Sequence, residues 1–154
     1  MIKSTVIAAV RARLEQDLQR TLAAARATEA AATDPESRSE GKYDTRGLEA
    51  SYLAAGQSEQ VEELAKSLRL IGISSNFPDF SPSDNIRSGA LVEVDLAGER
   101  AMFLLAPAAG GLDVELDGIE VTVLAPGAPL RAKLDGRIVG DRFESPPMRI
   151  VAIS

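Results

Sequence analysis

The sequence contains no cysteine, no histidine and no tryptophan. Without histidine, a Ser-His-Asp triad, a histidine general base and every histidine-containing zinc site are excluded. Without cysteine there are no disulfides, thiol nucleophiles or cysteine metal sites, which fits a reducing cytosol. Aromatic residues make up only 4% of the chain, so it offers no stacking platform for bases or sugars. The side chains left for chemistry are carboxylates, Lys, Ser, Thr and Tyr.

The charge of the chain is negative and unevenly distributed. The formal net charge is −6, which argues against a generic nucleic-acid coat protein because nonspecific binding to phosphates needs clustered Lys and Arg. Residues 1–75 are nearly neutral, and most of the acidity lies in residues 76–154. The apolar run at residues 6–10 is too short for a signal peptide or a membrane span. We therefore expect a soluble, cytoplasmic protein that does not contact membranes.

Two long helices are predicted in the first half of the chain. The stretch from Ile2 to Ala32 lacks Gly and Pro, and its large apolar residues recur four apart, as in an amphipathic helix. They are Val6, Val10, Leu14, Leu18 and Leu22. Residues 46–71 form the second helix, with Asp44 or Thr45 as the N-cap and Gly72 at the end. Its two heptad series are Ala54, Val61 and Leu68, and Gln57, Leu64 and Ile71. We expect an antiparallel coiled-coil hairpin over residues 1–75, with a tip loop at residues 33–45.

After residue 87 the hydrophobic period changes from helical to strand-like. Residues 73–87 form a connector, with residues 76–87 as the linker, and Phe77 and Phe80 are expected to pin the base of the hairpin to the following domain. Alternating residues predict strands at 90–96, 100–105, 112–116, 119–123 and 148–152, with a hairpin turn at Asp117-Gly118. Residues 126–134 predict a short helix. The fold class is therefore α+β, in which the helical hairpin precedes a small antiparallel sheet with one helix at residues 88–154.

The tip loop carries the residues with the clearest chemical potential. It contains four carboxylates, interleaved with cations, namely Asp34, Glu36, Glu40 and Asp44 with Arg38, Lys42 and Arg46. Mg²⁺ prefers oxygen ligands and is often held by one or two protein carboxylates, with water or a partner supplying the rest. Two interpretations remain open, a metal or acid/base site at the end of an arm and a solvated polar turn.

Two stretches of this sequence resemble a known family. Residues 125–141 read Ala-Pro-Gly-Ala-Pro-Leu-Arg-Ala-Lys-Leu-Asp-Gly-Arg-Ile-Val-Gly-Asp, and the tip contains Ser39-Glu40-Gly41. The first is similar to a run of Ser/Ala-Pro, a short helix, Gly and Gly-Asp in the Gre family of bacterial transcription elongation factors. The second is similar to that family's Ser-Glu-Asn. The order of the parts agrees as well, so the resemblance covers most of the chain.

The resemblance implies a fold, a partner and a set of site residues. The fold would be an acidic-tipped coiled coil followed by an FKBP-like domain, and the partner would be RNA polymerase. The hairpin would enter the secondary channel of the polymerase and stimulate cleavage of backtracked RNA, touching the RNA 3′ end indirectly, with contact to DNA in the complex left open. Glu40, Glu36 and Asp44 would be the catalytic residues, and Glu40 and Asp44 would share a Mg²⁺ ion with the polymerase. The chain would be a monomer, have no cofactor of its own and act as a cofactor of the polymerase rather than as an enzyme.

The tip departs from the family pattern at Ser37 and again beyond Glu40, where residues 42–47 differ from the family's Ala-Glu-Tyr continuation. Ser37 stands where the family has an Asp two residues before its Ser-Glu pair. The alternative is therefore a polymerase-binding regulator of the same architecture that does not promote cleavage. A third alternative, a stand-alone chaperone or peptidyl-prolyl isomerase, would need an aromatic-walled pocket, and residues 88–154 offer only Phe103 and Phe143.

Two further charged groups have a functional and a structural interpretation. A basic strip on the first helix would be either solvent-exposed helix surface or a contact toward RNA or polymerase, and comprises Arg11, Arg13, Arg20 and Arg26. An acidic set around the second hairpin would be either its exposed face or a docking surface for a basic partner, and comprises Asp113, Glu115, Asp117 and Glu120.

Overall fold

The structure is a computed structural model that describes the backbone of residues 2–33 and 46–154 and the side chains of residues 2–30 and 55–154. Contacts group the chain into two compact units. The helical unit is Leu14–Lys66, and the sheet unit combines Met1–Arg13 with Ser67–Ser154. This grouping cuts through both long helices. The domain bounds 1–75, 76–87 and 88–154 stay a prediction.

Both predicted long helices are present. Helix α1 spans Lys3–Thr33 and helix α2 spans Arg46–Ile71. The apolar repeat of α1 is buried over its first half and half-buried further on, at Val6, Val10, Leu14, Leu18 and Leu22 in that order. In α2 the predicted heptad positions Val61 and Leu64 are half-buried and Ile71 is buried. The predicted N-cap, Asp44 or Thr45, lies outside the described residues.

A six-stranded sheet with one short helix follows the two long helices, which confirms the α+β class. Its elements are β1 (Leu91–Leu96), β2 (Glu99–Leu105), β3 (Asp113–Leu116), β4 (Ile119–Leu124), α3 (Pro129–Leu134), β5 (Arg142–Glu144) and β6 (Pro147–Ile153). The strand order is β3-β4-β2-β1-β6-β5. A 3₁₀ turn at Ser74–Asn76 interrupts the predicted connector. Strand β5 was not predicted, because three residues are too few to show an alternating pattern.

The sheet is mixed, and the prediction of a wholly antiparallel sheet is wrong at one pairing. Strands β2 and β4 run parallel, whereas the other four pairings are antiparallel. The reason lies in the side chains of the β3–β4 hairpin. Val121 and Val123 of β4 are completely buried, whereas β3 places Asp113 and Glu115 in solvent. The apolar strand therefore lies inside the sheet beside β2, and the strand that carries carboxylates takes the edge.

The core of the sheet unit is aliphatic, as the low aromatic content predicts. One buried cluster joins strands β1, β2, β4 and β6 to helix α3 and comprises Ile86, Ala90, Val92, Val94, Phe103, Leu105, Leu124, Leu134, Met148, Ile150 and Ile153. Phe80 packs against this cluster, and Phe77 is buried in the same unit. The two connector phenylalanines therefore anchor the connector within the sheet unit.

Candidate functional site

The predicted site residues Glu36, Glu40 and Asp44 lie in segment 34–45, outside the described residues. Their roles stay predictions. The structure describes the helix ends on either side, because α1 ends at Thr33 and α2 begins at Arg46. Within residues 2–30 and 55–154, whose side chains the structure describes, no three acidic side chains gather as a group that could hold a metal ion.

The basic strip on α1 lies on the surface. Arg11, Arg13, Arg20 and Arg26 are all exposed. Arg20 donates a hydrogen bond to the Asp17 carboxylate at 3.0 Å, and Arg13 reaches the Asp113 carbonyl oxygen at 3.5 Å. On α2, Glu59, Glu62 and Glu63 are exposed as well. Helices α1 and α2 thus expose side chains of both charges to solvent. Because exposure fits both a solvent-exposed helix surface and a contact toward RNA or polymerase, both interpretations of the basic strip stay open.

Lys3 is the buried charged residue of the described chain, with only 9% of its surface exposed. Its ammonium donates to the carbonyl oxygens of Pro78 at 2.5 Å and Gly89 at 3.2 Å. It also lies 4.9 Å from the centre of the Phe80 ring, a favourable cation–π distance. Lys3 therefore ties the first turn of α1 to the connector and to the entry of β1. Sequence reasoning missed this role, because nothing in a run of helical residues marks one lysine as buried.

Burial lowers the pKa of Lys3 below its usual value of 10.5, and the nearby Asp79 carboxylate offsets this in part. Between the lowered pKa and 10.5 the unfolded chain binds more protons than the folded one, so the contribution of Lys3 to stability rises with pH in this window. We expect the difference in unfolding free energy between the wild type and Lys3→Met to shift in favour of the wild type as the pH rises toward 10.5. Urea denaturation of both proteins at pH 8, 9 and 10 measures it, and a constant difference would contradict the assignment.

Arg131, within the run 125–141, forms side-chain hydrogen bonds to three groups outside helix α3. It lies on α3 and donates to the carbonyl oxygens of Ala106 at 2.5 Å and Leu124 at 2.7 Å, and to the Ser88 hydroxyl at 3.0 Å. Desolvation by burial lowers the pKa of Arg131, with a partly compensating effect of Asp135. The guanidinium joins the ends of the parallel strands β2 and β4 to Ser88, the residue that follows the connector. It satisfies backbone acceptors where the sheet pairing ends.

The acidic set of the β3–β4 hairpin is exposed, as predicted for the outer face of a hairpin. Asp113, Glu115, Asp117 and Glu120 all lie in solvent. Thr122 donates its hydroxyl to the Asp113 carboxylate at 2.6 Å, and Glu115 stands opposite Glu120 in the register. Asp117 and Gly118 both have positive φ, at 52° and 75°, as a two-residue hairpin turn requires.

The two aromatic residues of the isomerase interpretation occupy different positions in the sheet unit. Phe103 belongs to the buried core, at 9% exposure. Phe143 packs on the outside of that core and carries the Arg137 guanidinium 5.3 Å from its ring centre. One aromatic side chain beside a shallow groove offers no aromatic walls for a proline ring.

The fold and the described surfaces together define an α+β protein with two long helices followed by a mixed sheet. No helix within residues 2–33 and 46–154 has the length and apolar character needed to cross a membrane. No protein-family model and no curated protein matches the chain.

Solved structures that are similar to the chain include three of Gfh1. GreA factor homolog 1 (Gfh1) of Thermus thermophilus shares 21% identity over 95% of both chains, with a TM-score of 0.39. A structure of the transcription factor Gfh1 shares 24% identity over 94% of this chain and 93% of that one, with a TM-score of 0.37. Thermus aquaticus Gfh1 shares 19% identity over 94% of both chains, with a TM-score of 0.36. At these identities and TM-scores the likeness assigns no family and no function.

Proposed function

We propose that this chain is a bacterial transcription elongation factor that binds RNA polymerase, inserts its helical hairpin into the secondary channel and stimulates cleavage of backtracked RNA. The observation that carries the proposal is the order of the elements along the chain. Two long helices flank an acidic segment, and a sheet unit follows in which the Gre-like run 125–141 supplies α3 and the turn after it. One of the two stretches that resemble the family thus lies between the helices, and the other lies in the sheet unit. The proposal gives a role to each of these two parts.

The length of the helices supports delivery of the tip carboxylates over a distance. Residues 14–33 and 46–66 are helical and share one compact unit. About 20 helical residues extend roughly 30 Å, the diameter of a small domain. Side chains carried on a pair of such helices can reach a site deep within a channel, which a tight turn on a compact domain cannot.

The proposed chemistry belongs to the tip. Glu40 is the residue that keeps the Ser-Glu pair of the family, and Glu36 and Asp44 are its acidic neighbours. Glu40 and Asp44 would hold a Mg²⁺ ion shared with the polymerase, since carboxylate oxygens are the donors that this ion prefers. When bound, Mg²⁺ lowers the pKa of water and stabilises the leaving oxygen of a phosphodiester. The chain therefore orients charge at the active site of its partner and acts as a cofactor of the polymerase.

The proposal is tested with stalled, backtracked complexes of bacterial RNA polymerase. Adding the chain is expected to release short RNA fragments that contain the 3′ end, and a pull-down with core polymerase is expected to retain the chain. Gel analysis of 3′-labelled RNA measures the release. Polymerase alone under the same conditions gives the basal rate. No retention by the polymerase would refute the proposal as a whole, and retention without release would refute the cleavage step.

Ser37 favours a second candidate function. A serine hydroxyl is a weak ligand for a hard divalent cation compared with the carboxylate that the family carries at this position. A chain with this tip would occupy the secondary channel without promoting cleavage and would regulate the polymerase by exclusion. Its signature is competition with a cleavage-active Gre factor in the fragment-release assay, with no fragments released by the chain itself.

A further inference from the structure

A row of four charged side chains crosses the sheet from its β5 edge. Arg142 on β5 is directly opposed to Arg149 on β6 in the strand register. Arg149 also opposes Asp95 on β1, which in turn opposes Arg100 on β2. Directly opposed residues share a face of the sheet, and both neighbours of Arg149 on β6 belong to the buried core cluster, so the row lies on the other face. We call these four residues the charged row.

Two arginines of the charged row have no counter-ion. The third, Arg100, donates its Nε to the Glu93 carboxylate at 2.5 Å and forms an ion pair with the same oxygen. Among the side chains that the structure describes, neither Arg142 nor Arg149 has an ion pair or a side-chain hydrogen bond, and both are exposed. Like charges at opposed positions of a ladder repel and destabilise the pairing. An anion bound between Arg142 and Arg149 would remove this repulsion.

Asp95 adds a fixed negative charge beside the two arginines. It is half-buried, and its Oδ1 accepts a hydrogen bond from the Gly98 amide at 2.7 Å, which holds the carboxylate at the β1–β2 turn. Its second oxygen accepts no hydrogen bond from the described residues. A groove of about 400 Å³ is lined by Asp95, Arg142 and Arg149 together with four uncharged residues. The groove therefore offers two cationic donors and one anionic acceptor to a small ligand.

We propose that this groove binds a small phosphate monoester that carries an ammonium group, with the phosphate between Arg142 and Arg149 and the ammonium at Asp95. A phosphate monoester has a charge of about −1.5 to −2 at pH 7 and three acceptor oxygens. Guanidiniums bind such a group through paired hydrogen bonds from a planar fork of donors. The ammonium supplies the hydrogen-bond donor and the positive charge that the Asp95 carboxylate lacks.

The spacing of the strands sets the length of the ligand. Neighbouring strands lie about 4.8 Å apart, so the midpoint between Arg142 and Arg149 is about 7 Å from Asp95 along the charged row. A charge-assisted hydrogen bond to the carboxylate takes up about 2.8 Å of this distance, which leaves about 4 Å between nitrogen and phosphorus. An ester with a two-carbon linker, such as phosphoethanolamine, spans that distance. Inorganic phosphate has no ammonium and would leave Asp95 facing an anion.

The test is calorimetric titration of the full chain with phosphoethanolamine and with ethyl phosphate, which lacks the ammonium, at constant ionic strength. We expect the wild type to bind phosphoethanolamine about threefold more tightly than ethyl phosphate. Asp95→Asn is expected to abolish this preference, while its amide oxygen can still accept from the Gly98 amide. Arg142→Gln/Arg149→Gln is expected to bind both compounds at least about tenfold more weakly.

A matched control removes two positive charges outside the charged row. Arg11→Gln/Arg69→Gln makes the same chemical change at two exposed positions of the sheet unit, and it is expected to bind phosphoethanolamine as the wild type does. Because Arg142→Gln/Arg149→Gln removes a like-charge repulsion, its melting temperature without ligand is expected to stay the same or rise. Loss of binding in that variant then reports on the groove and not on unfolding.

Each other outcome overturns the inference. It fails if the wild type does not bind phosphoethanolamine, if Arg142→Gln/Arg149→Gln binds it as tightly as the wild type, or if the control loses as much affinity. It also fails if inorganic phosphate or ethyl phosphate binds as tightly, since the ammonium then has no role. Sedimentation of the chain with phosphatidylethanolamine vesicles, which present both groups as a lipid diester, would assign the groove to a membrane surface instead. The chain is tested alone, so these results do not bear on the proposed function.

Discussion

Replacing Glu40 by Gln is expected to reduce RNA fragment release by about 100-fold or more while leaving binding to RNA polymerase intact. Gln has the shape of Glu but lacks the negative charge, so it is a poor ligand for Mg²⁺ and cannot offset the charge of the ion. Charge stabilisation by a bound metal contributes several kcal/mol to such a reaction, and each 1.36 kcal/mol is a factor of ten in rate. Single-turnover cleavage of backtracked complexes at saturating protein measures the effect.

The matched control for Glu40→Gln is Glu59→Gln. Glu59 is an exposed carboxylate of α2, within the helical unit and outside the tip. It undergoes the same chemical change, so its cleavage rate is expected to equal that of the wild type. Equal loss in both variants would mean that the overall charge of the helices, rather than one tip residue, drives the effect.

Ser37→Asp separates the two candidate functions, because it is expected to raise cleavage if the serine limits the site and to change nothing if cleavage is not a function of this tip.

Replacing Gly89 by Ala is expected to destabilise the sheet unit by about 2–4 kcal/mol. Gly89 has φ of +92°, and a Cβ atom there would lie 2.5 Å from the Asn76 carbonyl oxygen and 2.7 Å from the Pro78 ring. The positive φ costs an L-residue about 1 kcal/mol, and overpacking against backbone that cannot easily move adds about 1–3 kcal/mol. The position also matters because the Gly89 carbonyl accepts from Lys3, and its amide donates to Leu105 at 2.8 Å. Chemical denaturation followed by circular dichroism measures the loss.

Gly98→Ala separates the two causes of this loss. Gly98 has almost the same backbone angle, with φ of +93°, but a Cβ atom there would meet nothing within 4 Å. It therefore isolates the cost of the positive φ, about 1 kcal/mol. If Gly98→Ala and Gly89→Ala lose equal stability, the close approach of the connector to Gly89 has no energetic role.

The elements with a long or strictly alternating pattern could be predicted from the sequence. Helix α2 occupies the predicted residues 46–71, and α1 differs from its predicted span by one residue at each end. The hairpin turn at Asp117-Gly118 follows from local backbone preference. Short elements lack such a signal, so β5 was missed and α3 was predicted from residue 126 although it begins at Pro129. Pro129 itself explains that start, because proline favours the first turn of a helix.

The charged groups on the surface likewise divide into those that the sequence predicts and those that only the structure shows. The acidic tip is visible in the sequence, because its carboxylates lie close together in the chain. The opposition of Arg142 and Arg149 is not, because these residues lie on separate strands and become neighbours only through the β5–β6 register.

The sequence by itself determined the helices, the change of period after residue 87 and the exclusion of histidine and cysteine chemistry, because each depends on residues close together in the chain. Only the tertiary structure decided the parallel pairing of β2 with β4, the burial of Lys3 and the opposition of Arg142 and Arg149. These depend on which apolar surfaces become covered, and that is settled by packing between segments far apart in sequence. Periodicity predicts which side of an element is apolar, but not which partner covers it.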